Sequence, residues 1–250
     1  MMPDWTPLEQ ELRRWAAAGL TLPIWWRDDD ATAPGSALER LGELAETHGM
    51  PVHLAVIPKR ATQALADHAR AHPQLIPLVH GWAHHNHAPF SQKKAEFGDH
   101  RPAAVMLEEA TAGLARLGDL FGPRLCPIFV PPWNRISAEV VKGLGGAGFA
   151  ALSTFLPRTA AVAGPGLVQI NTHLDPVNWK GGRGLVDAKS LIDQIVRQLT
   201  DRREGRADKD EPYGLLTHHL VHDEAIWGFT DALLGHLSAG PVRIWRANDL

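Results

Sequence analysis

Short apolar runs alternate with helical stretches along almost the whole chain, and this alternation limits the available folds more than any single residue does. Leu22 to Trp26, Val52 to Ile57, Leu75 to Val79, Leu125 to Val130, Phe149 to Ser153, Leu167 to Asn171, Tyr213 to Thr217 and Val242 to Trp245 read as strands. Leu8 to Ala18, Ser36 to Glu46, Arg60 to Ala71, Ala103 to Leu120, Ser137 to Gly145, Ala188 to Leu199 and Ala225 to Leu237 carry helical spacing. Ser36 and Glu39 are placed as a capping box, and Asp201 to Glu211 reads as an exposed charged connector. Strands separated by helices pair in parallel, and 250 residues suit one (β/α) barrel domain spanning residues 1–250.

The chemically interesting residues follow the strands. Asp28 and Asp29, His80 and His84, Pro132 and Trp133, Asp175, and His218 each stand just after an apolar run. In a barrel the strand C-termini share one rim, so such residues become neighbours. His80 and His84, four apart, can offer two imidazoles to one cation from a single helical turn. A third ligand is expected from Arg27-Asp28-Asp29-Asp30, because adjacent carboxylates repel one another least beside a cation. The polar stretch His84 to Pro102 reads as a loop over the site, with His85 and His87 as loop residues. Strand alternation allows only one of His218 and His219 to face the rim, and Asp223 suits a helix cap. Trp25, Trp26 and Trp245 read as core; Trp82, Trp133, Trp179 and Trp227 are candidates for stacking on a sugar ring.

Charge and composition remove whole classes of partner. A net charge of −3 with both signs mixed leaves no basic stripe for nucleic acid, and no run of eighteen apolar residues is present to span a membrane. The one cysteine, Cys126, lies in an apolar run and reads as a buried small hydrophobe, and the N-terminus lacks the pattern of an export signal, so a cytoplasmic protein is expected.

Trp26-Arg27-Asp28-Asp29-Asp30, His80-Gly81-Trp82-Ala83-His84, Val130-Pro131-Pro132-Trp133, Asp175 with Trp179, and Leu216-Thr217-His218 follow one another along the chain. Together they resemble, in order, the five motifs of the NodB-type polysaccharide deacetylases, carbohydrate esterase family four, over Trp25 to Asp223. The resemblance implies an α/β fold, a distorted (β/α) barrel of about seven parallel strands with the site at their C-terminal face. It implies Asp28 as general base, His218 as general acid, and Asp29, His80 and His84 as ligands of a divalent ion. Zinc is the first candidate ion, with cobalt, nickel or manganese as alternatives. Trp82, Pro132, Trp133, Asp175 and Trp179 would bind a small-molecule or oligosaccharide substrate, Asp175 and Trp179 also orienting His218. The implied reaction is metal-assisted removal of an acetyl group from an N-acetylated sugar or related amide.

The chain departs from the family pattern in three places. Val130 stands where the third motif opens with an arginine that pairs with the base; Arg27 or Arg135 could supply that charge. Asp30 replaces a glycine, so a shift of one residue, with Asp29 as base and Asp30 as ligand, is an alternative. Gly81 replaces a small hydroxyl residue. Two other functions stay open: hydrolysis of another C–N bond, as in the ureide and cyclic-amide hydrolases that the resemblance also takes in, or, given Val130, a catalytically silent glycan-binding module.

Overall fold

The computed structural model describes residues 3–247 and 250. Its elements run α1 (Thr6–Ala17), β1 (Leu22–Ala31), α2 (Ser36–Thr47), β2 (Val52–Val56), α3 (Gln63–Ala71), β3 (Leu75–His80), α4 (Ala103–Phe121), β4 (Ile128–Val130), α5 (Ala138–Leu144) and β5 (Ala151–Leu152). They continue with β6 (Val162–Gly164), β7 (Leu167–Gln169), α6 (Ala188–Arg203), β8 (Tyr213–Thr217), α7 (Glu224–Ser238) and β9 (Val242–Ile244). The strands form one sheet in the order β6-β7-β5-β4-β3-β2-β1-β8, with β9 also on β1, and only the β6–β7 pairing is antiparallel. Beyond β7 the chain bridges from Thr172 to Phe155 and from Leu174 to Leu215 of β8. His173 N and Leu174 N donate to Gly214 O, and Leu216 N donates to Leu174 O, sealing the sheet. Strands β8, β1, β2, β3, β4, β5 and β7 with its continuation thus make a ring of seven parallel strands, the expected distorted barrel.

The pleat sorts side chains into two cores. Trp25, Ala55, Ile76, Leu78, Ile128, Val130, Ala151 and Ile170 fill the lumen with Trp245, without a residue from any of the seven helices. Trp26, Val52, Leu54, Val79, Phe129 and Leu215 face outward against residues of all seven helices. Trp25, His53 and Trp245 close one end of the lumen, their ring centroids 5.3 to 5.4 Å apart. A buried tryptophan withdraws roughly 200 Å² from water, a gross gain of about 5 kcal/mol, so this plug is a main support of the lumen.

Several local expectations shift. The α2 N-cap is Gly35 and Ser36 makes no capping bond, whereas Asp223 caps α7 by accepting from Ile226 N at 2.8 Å. The charged stretch after Leu199 is not an exposed connector throughout: α6 runs on to Arg203, and Arg202 and Glu211 are buried. The reason is a polar network, in which Glu211 accepts from Arg158 N and Asn171 N and lies 3.1 Å from His173. The β6–β7 hairpin, turned at Gly166 with φ +66°, was not expected from the apolar pattern. Cys126 is buried, and Trp227 is buried under Arg40, away from any sugar-stacking position. No helix among the described residues is long and apolar enough to cross a membrane.

Candidate active site

Strand β1 supplies three consecutive carboxylates, and its geometry sends each to a different place. Trp26 and Asp28 share the outward face. Trp26 Nε1 donates to Thr217 Oγ1 at 2.8 Å, and Thr217 Oγ1 donates to Asp28 Oδ2 at 2.6 Å. His219 N donates to the same oxygen at 2.9 Å, and His219 Nδ1 lies 2.5 Å from Asp28 Oδ1. Burial pushes the Asp28 carboxyl up, but the charge and hydrogen bonds of His219 and Thr217 outweigh it and hold the group below its ordinary value. Asp28, which the motif alignment nominates as base, is therefore fully buried with both oxygens tied to the β8 end.

Asp29 lies on the inward face with Arg27, two residues earlier. Arg27 Nε donates to Asp29 Oδ1 at 2.9 Å and Nη2 to Oδ2 at 3.0 Å, a bidentate grip inside the barrel. The guanidinium is itself held by Ser153 Oγ at 2.6 Å and Asn134 Oδ1 at 2.7 Å. Trp133 and Asn134 adopt φ of +58° and +56°, and this unusual turn brings the Asn134 amide to Arg27. Of the two arginines weighed for the place of Val130, Arg27 is the one paired with a carboxylate of β1, and the Val130 side chain packs in the lumen. Arg135 points elsewhere, donating to Lys94 O.

Asp30 completes the division. The β1–β2 register shifts between Asp28 and Ala31, and Asp30 has φ +78°, so a bulge turns its carboxylate towards β3. Asp30 Oδ1 lies 3.2 Å from His80 Nε2 and 3.2 Å from His84 Nε2, and one donor atom of each residue lies within 4.8 Å of the others. Nitrogen and oxygen ligands at zinc distance and tetrahedral angles stand roughly 3.3 Å apart, so this trio fits a divalent ion. His80 Nδ1 donates to Val130 O at 2.9 Å, which leaves Nε2 with its lone pair free for a cation. The set that converges is Asp30, His80 and His84, one residue on from the first-weighed Asp29. Burial raises the Asp30 carboxyl, yet the hydrogen bond and charge of His80, with His84 and His218, win and hold it well below the usual carboxylate range. Burial also lowers His84, as does the neighbouring His80.

The two histidines do not share a helical turn. Strand β3 ends at His80, and residues 81–84 form a tight turn with Gly81 at φ +55° and His84 at φ +56°. Pro132 is buried against Gly81, and the Trp133 ring sits 4.3 Å from that of His84. Trp82 packs against the outer core, while its carbonyl accepts from Lys59 N at 2.9 Å.

Across the rim, His218 is on the inward parity of β8 and His219 on the outward one. His218 Nδ1 faces Asp175 Oδ2 at 3.8 Å, and Trp179 Nε1 donates to that same oxygen at 2.8 Å, its ring edge-on to His218 at 4.7 Å. Burial raises the Asp175 carboxyl, with His218 and the Trp179 N–H opposing. His218 acts electrostatically on Asp30, and Asp29 on Asp175, so the two halves belong to one mouth. Sequence reasoning missed Ser153 and Asn134, the supports of Arg27, and Glu96, which braces the His84 turn. No periodicity or motif marks any of the three.

No protein-family model matches the chain, and a search of curated proteins finds no match. Solved structures do resemble it. A family 4 carbohydrate esterase from Streptomyces lividans, in complex with acetate, superposes with a TM-score of 0.57 at 13% identity, covering 90% of this chain and 92% of the other. A peptidoglycan deacetylase from Bacillus subtilis gives 0.54 at 12% identity over 90% and 87% of the two chains. A family 4 acetyl xylan esterase from Clostridium thermocellum, in complex with a cobalt ion, gives 0.51 at 11% identity over 91% and 89%. At this distance in sequence the likeness is one of architecture, and the chain has the fold of the family 4 carbohydrate esterases.

Proposed function

We propose that the protein is a metal-dependent hydrolase that removes an acetyl group from an N-acetylated sugar or related amide. The observation that carries this reading is the meeting, at one barrel mouth, of a two-histidine, one-carboxylate trio with an Arg27-bound carboxylate and a His–Asp–Trp group opposite. Asp30, His80 and His84 would hold the ion, with zinc the first candidate. When bound, such an ion lowers the pKa of a coordinated water towards about 7 and polarises an amide carbonyl.

The remaining steps fall to the chain's own residues. Asp29 takes the proton of the attacking water, its carboxylate plane set by the two Arg27 bonds. His218, with Asp175 beside Nδ1, is left with Nε2 to protonate the departing amine. Trp133 and the exposed Trp179 flank the mouth and suit the faces of a sugar ring. Asp28, tied to His219, supports the β1–β8 junction instead of handling protons. The Arg27–Asp29 pair, a charge beside a carboxylate in spite of Val130, supports the hydrolytic reading over a silent module.

The test is acetate release from N-acetylated chito-oligosaccharides and from a panel of ureides and cyclic amides, with chelation and re-addition of metal. Asp29→Asn should lose about 10³-fold in kcat while still binding Zn²⁺, and Asp30→Asn should lose Zn²⁺ itself. Asp28→Asn should lower stability more than turnover. Full activity in Asp29→Asn, or hydrolysis confined to the ureide or cyclic-amide arm, would overturn the proposal.

A further inference from the structure

We infer that Glu96 is a positioning residue for the metal centre, shaping the turn that presents His84; this rests on the metal-dependent reading above. Glu96 is 1% exposed. Its Oε1 accepts from Ala83 N at 2.9 Å and His85 N at 3.1 Å, and its Oε2 from Trp82 N at 3.2 Å. A buried carboxyl group without partners is strongly unfavourable, and here three backbone donors of one turn satisfy both oxygens. The converse holds for the turn: N–H groups of residues 82, 83 and 85, which no helix or strand uses, find their acceptor in one side chain.

Gly81 makes room for this arrangement. A Cβ there would lie 2.4 Å from Glu96 Oε2 and 2.5 Å from Pro132 Cδ, and φ is +55°. A side chain at position 81 and the Glu96 carboxylate cannot both occupy this geometry. Glycine at 81 and a carboxylate at 96 therefore depend on each other, because the carboxylate fills the space that a Cβ at 81 would take. The loop after His84 is built to deliver the carboxylate: Asn86 Oδ1 accepts from Ala88 N and Ala95 N, and His87 N donates to Ala95 O. Arg101 binds the Glu96 carbonyl at 2.9 Å and Glu109 of α4 at 2.7 Å, and Phe97 is buried and bridged to Ile136. The segment expected as a loop over the site is, at Glu96, a brace for the turn that ends at His84.

The experiment measures Zn²⁺ binding by calorimetry to the full chain as wild type, Glu96→Gln, His80→Ala, His84→Ala and the Glu96→Gln/His84→Ala double variant. Amide hydrogen exchange is followed in the metal-free proteins. Glu96→Gln replaces one acceptor oxygen by a donor, so Zn²⁺ affinity should fall about 10- to 100-fold. Exchange at Trp82, Ala83 and His85 should accelerate without zinc. Because Glu96 acts through His84, the substitution should add less than about threefold in the His84→Ala background. Zn²⁺ affinity in Glu96→Gln within about threefold of wild type, or an undiminished loss in the His84→Ala background, overturns the inference. If His80→Ala binds Zn²⁺ like the wild type, the metal reading falls as well; if it loses Zn²⁺ while Glu96→Gln keeps it, only the role of Glu96 falls. Should Glu96→Gln fail to fold, Glu96→Asp keeps the charge but withdraws the carboxylate from the three amides, and is expected to show the same loss of affinity; wild-type affinity in that variant overturns the inference as well.

Discussion

Three neighbouring aspartates of one strand meet three different electrostatic fates, and the difference lies in what each carboxylate touches. Asp28 binds His219 and Thr217, Asp29 binds Arg27, and Asp30 faces two imidazoles. The Arg27 grip makes a sharp prediction, because lysine keeps the charge and loses the two-pronged geometry. Arg27→Lys should lower kcat for acetate release by about 10- to 100-fold with KM within about twofold, since the orientation of the base is used only during the chemical step. A raised KM with kcat intact would instead place Arg27 in substrate binding. Trp179→Phe keeps an aromatic ring and removes the N–H from which Asp175 accepts a hydrogen bond. About tenfold should be lost from kcat, with the pH profile of turnover displaced, as expected when a general acid loses its orienting partner.

At the scale of elements, function depends on where regular structure stops. Strand β1 bulges at Asp30, and β3 gives way to a left-handed step at Gly81. Both interruptions turn a side chain into the mouth that a straight strand would send elsewhere. Gly81→Ala meets both a positive φ and a collision, whereas Gly49 has φ +60° with open space around its missing Cβ. Gly49→Ala should therefore destabilise by about 1 kcal/mol and Gly81→Ala by roughly 3 kcal/mol or more, a difference of at least about 4 °C in Tm for a chain of this size. Thermal unfolding of the two variants side by side separates strain from collision, and equal shifts would mean that the Glu96 carboxylate and the Pro132 ring both yield without penalty.

For the whole molecule, the barrel closes at a seam narrower than its other junctions, and buried titratable groups cluster where β8 meets β1. His222 Nε2 accepts from His218 N at 3.3 Å, and burial, with the neighbouring histidines, pushes its pKa down from 6.5 to about 4. Between those values the unfolded chain binds a proton that the folded chain refuses. His222 thus contributes its full stability above about pH 6.5, loses it as pH falls towards about 4, and adds no further slope below that. The Asp28–His219 pair works the other way, since its attraction persists on acidification until Asp28 is protonated. Urea unfolding at pH 7.5, 6 and 5 should show the wild type losing roughly 2 kcal/mol more than His222→Gln across this range. Parallel losses in the two proteins would place the acid sensitivity elsewhere.

The amino-acid sequence by itself determined the order of strands and helices, because periodic apolar runs dictate it, and the chemical clusters standing just after strands favoured a barrel over a doubly wound sheet. It also marked His80 and His218, which stand at strand ends on the inward parity, whereas His84 comes beside His80 only through the turn at Gly81. What only the tertiary structure decided was the division of labour among Asp28, Asp29 and Asp30, because a single bulge moves a side chain from one face of a strand to the other and leaves no mark in composition. Glu96, Asn134 and Ser153 were hidden for a related reason: their partners are backbone amides and a guanidinium brought near by loops, and loop conformation depends on contacts that do not repeat along the chain.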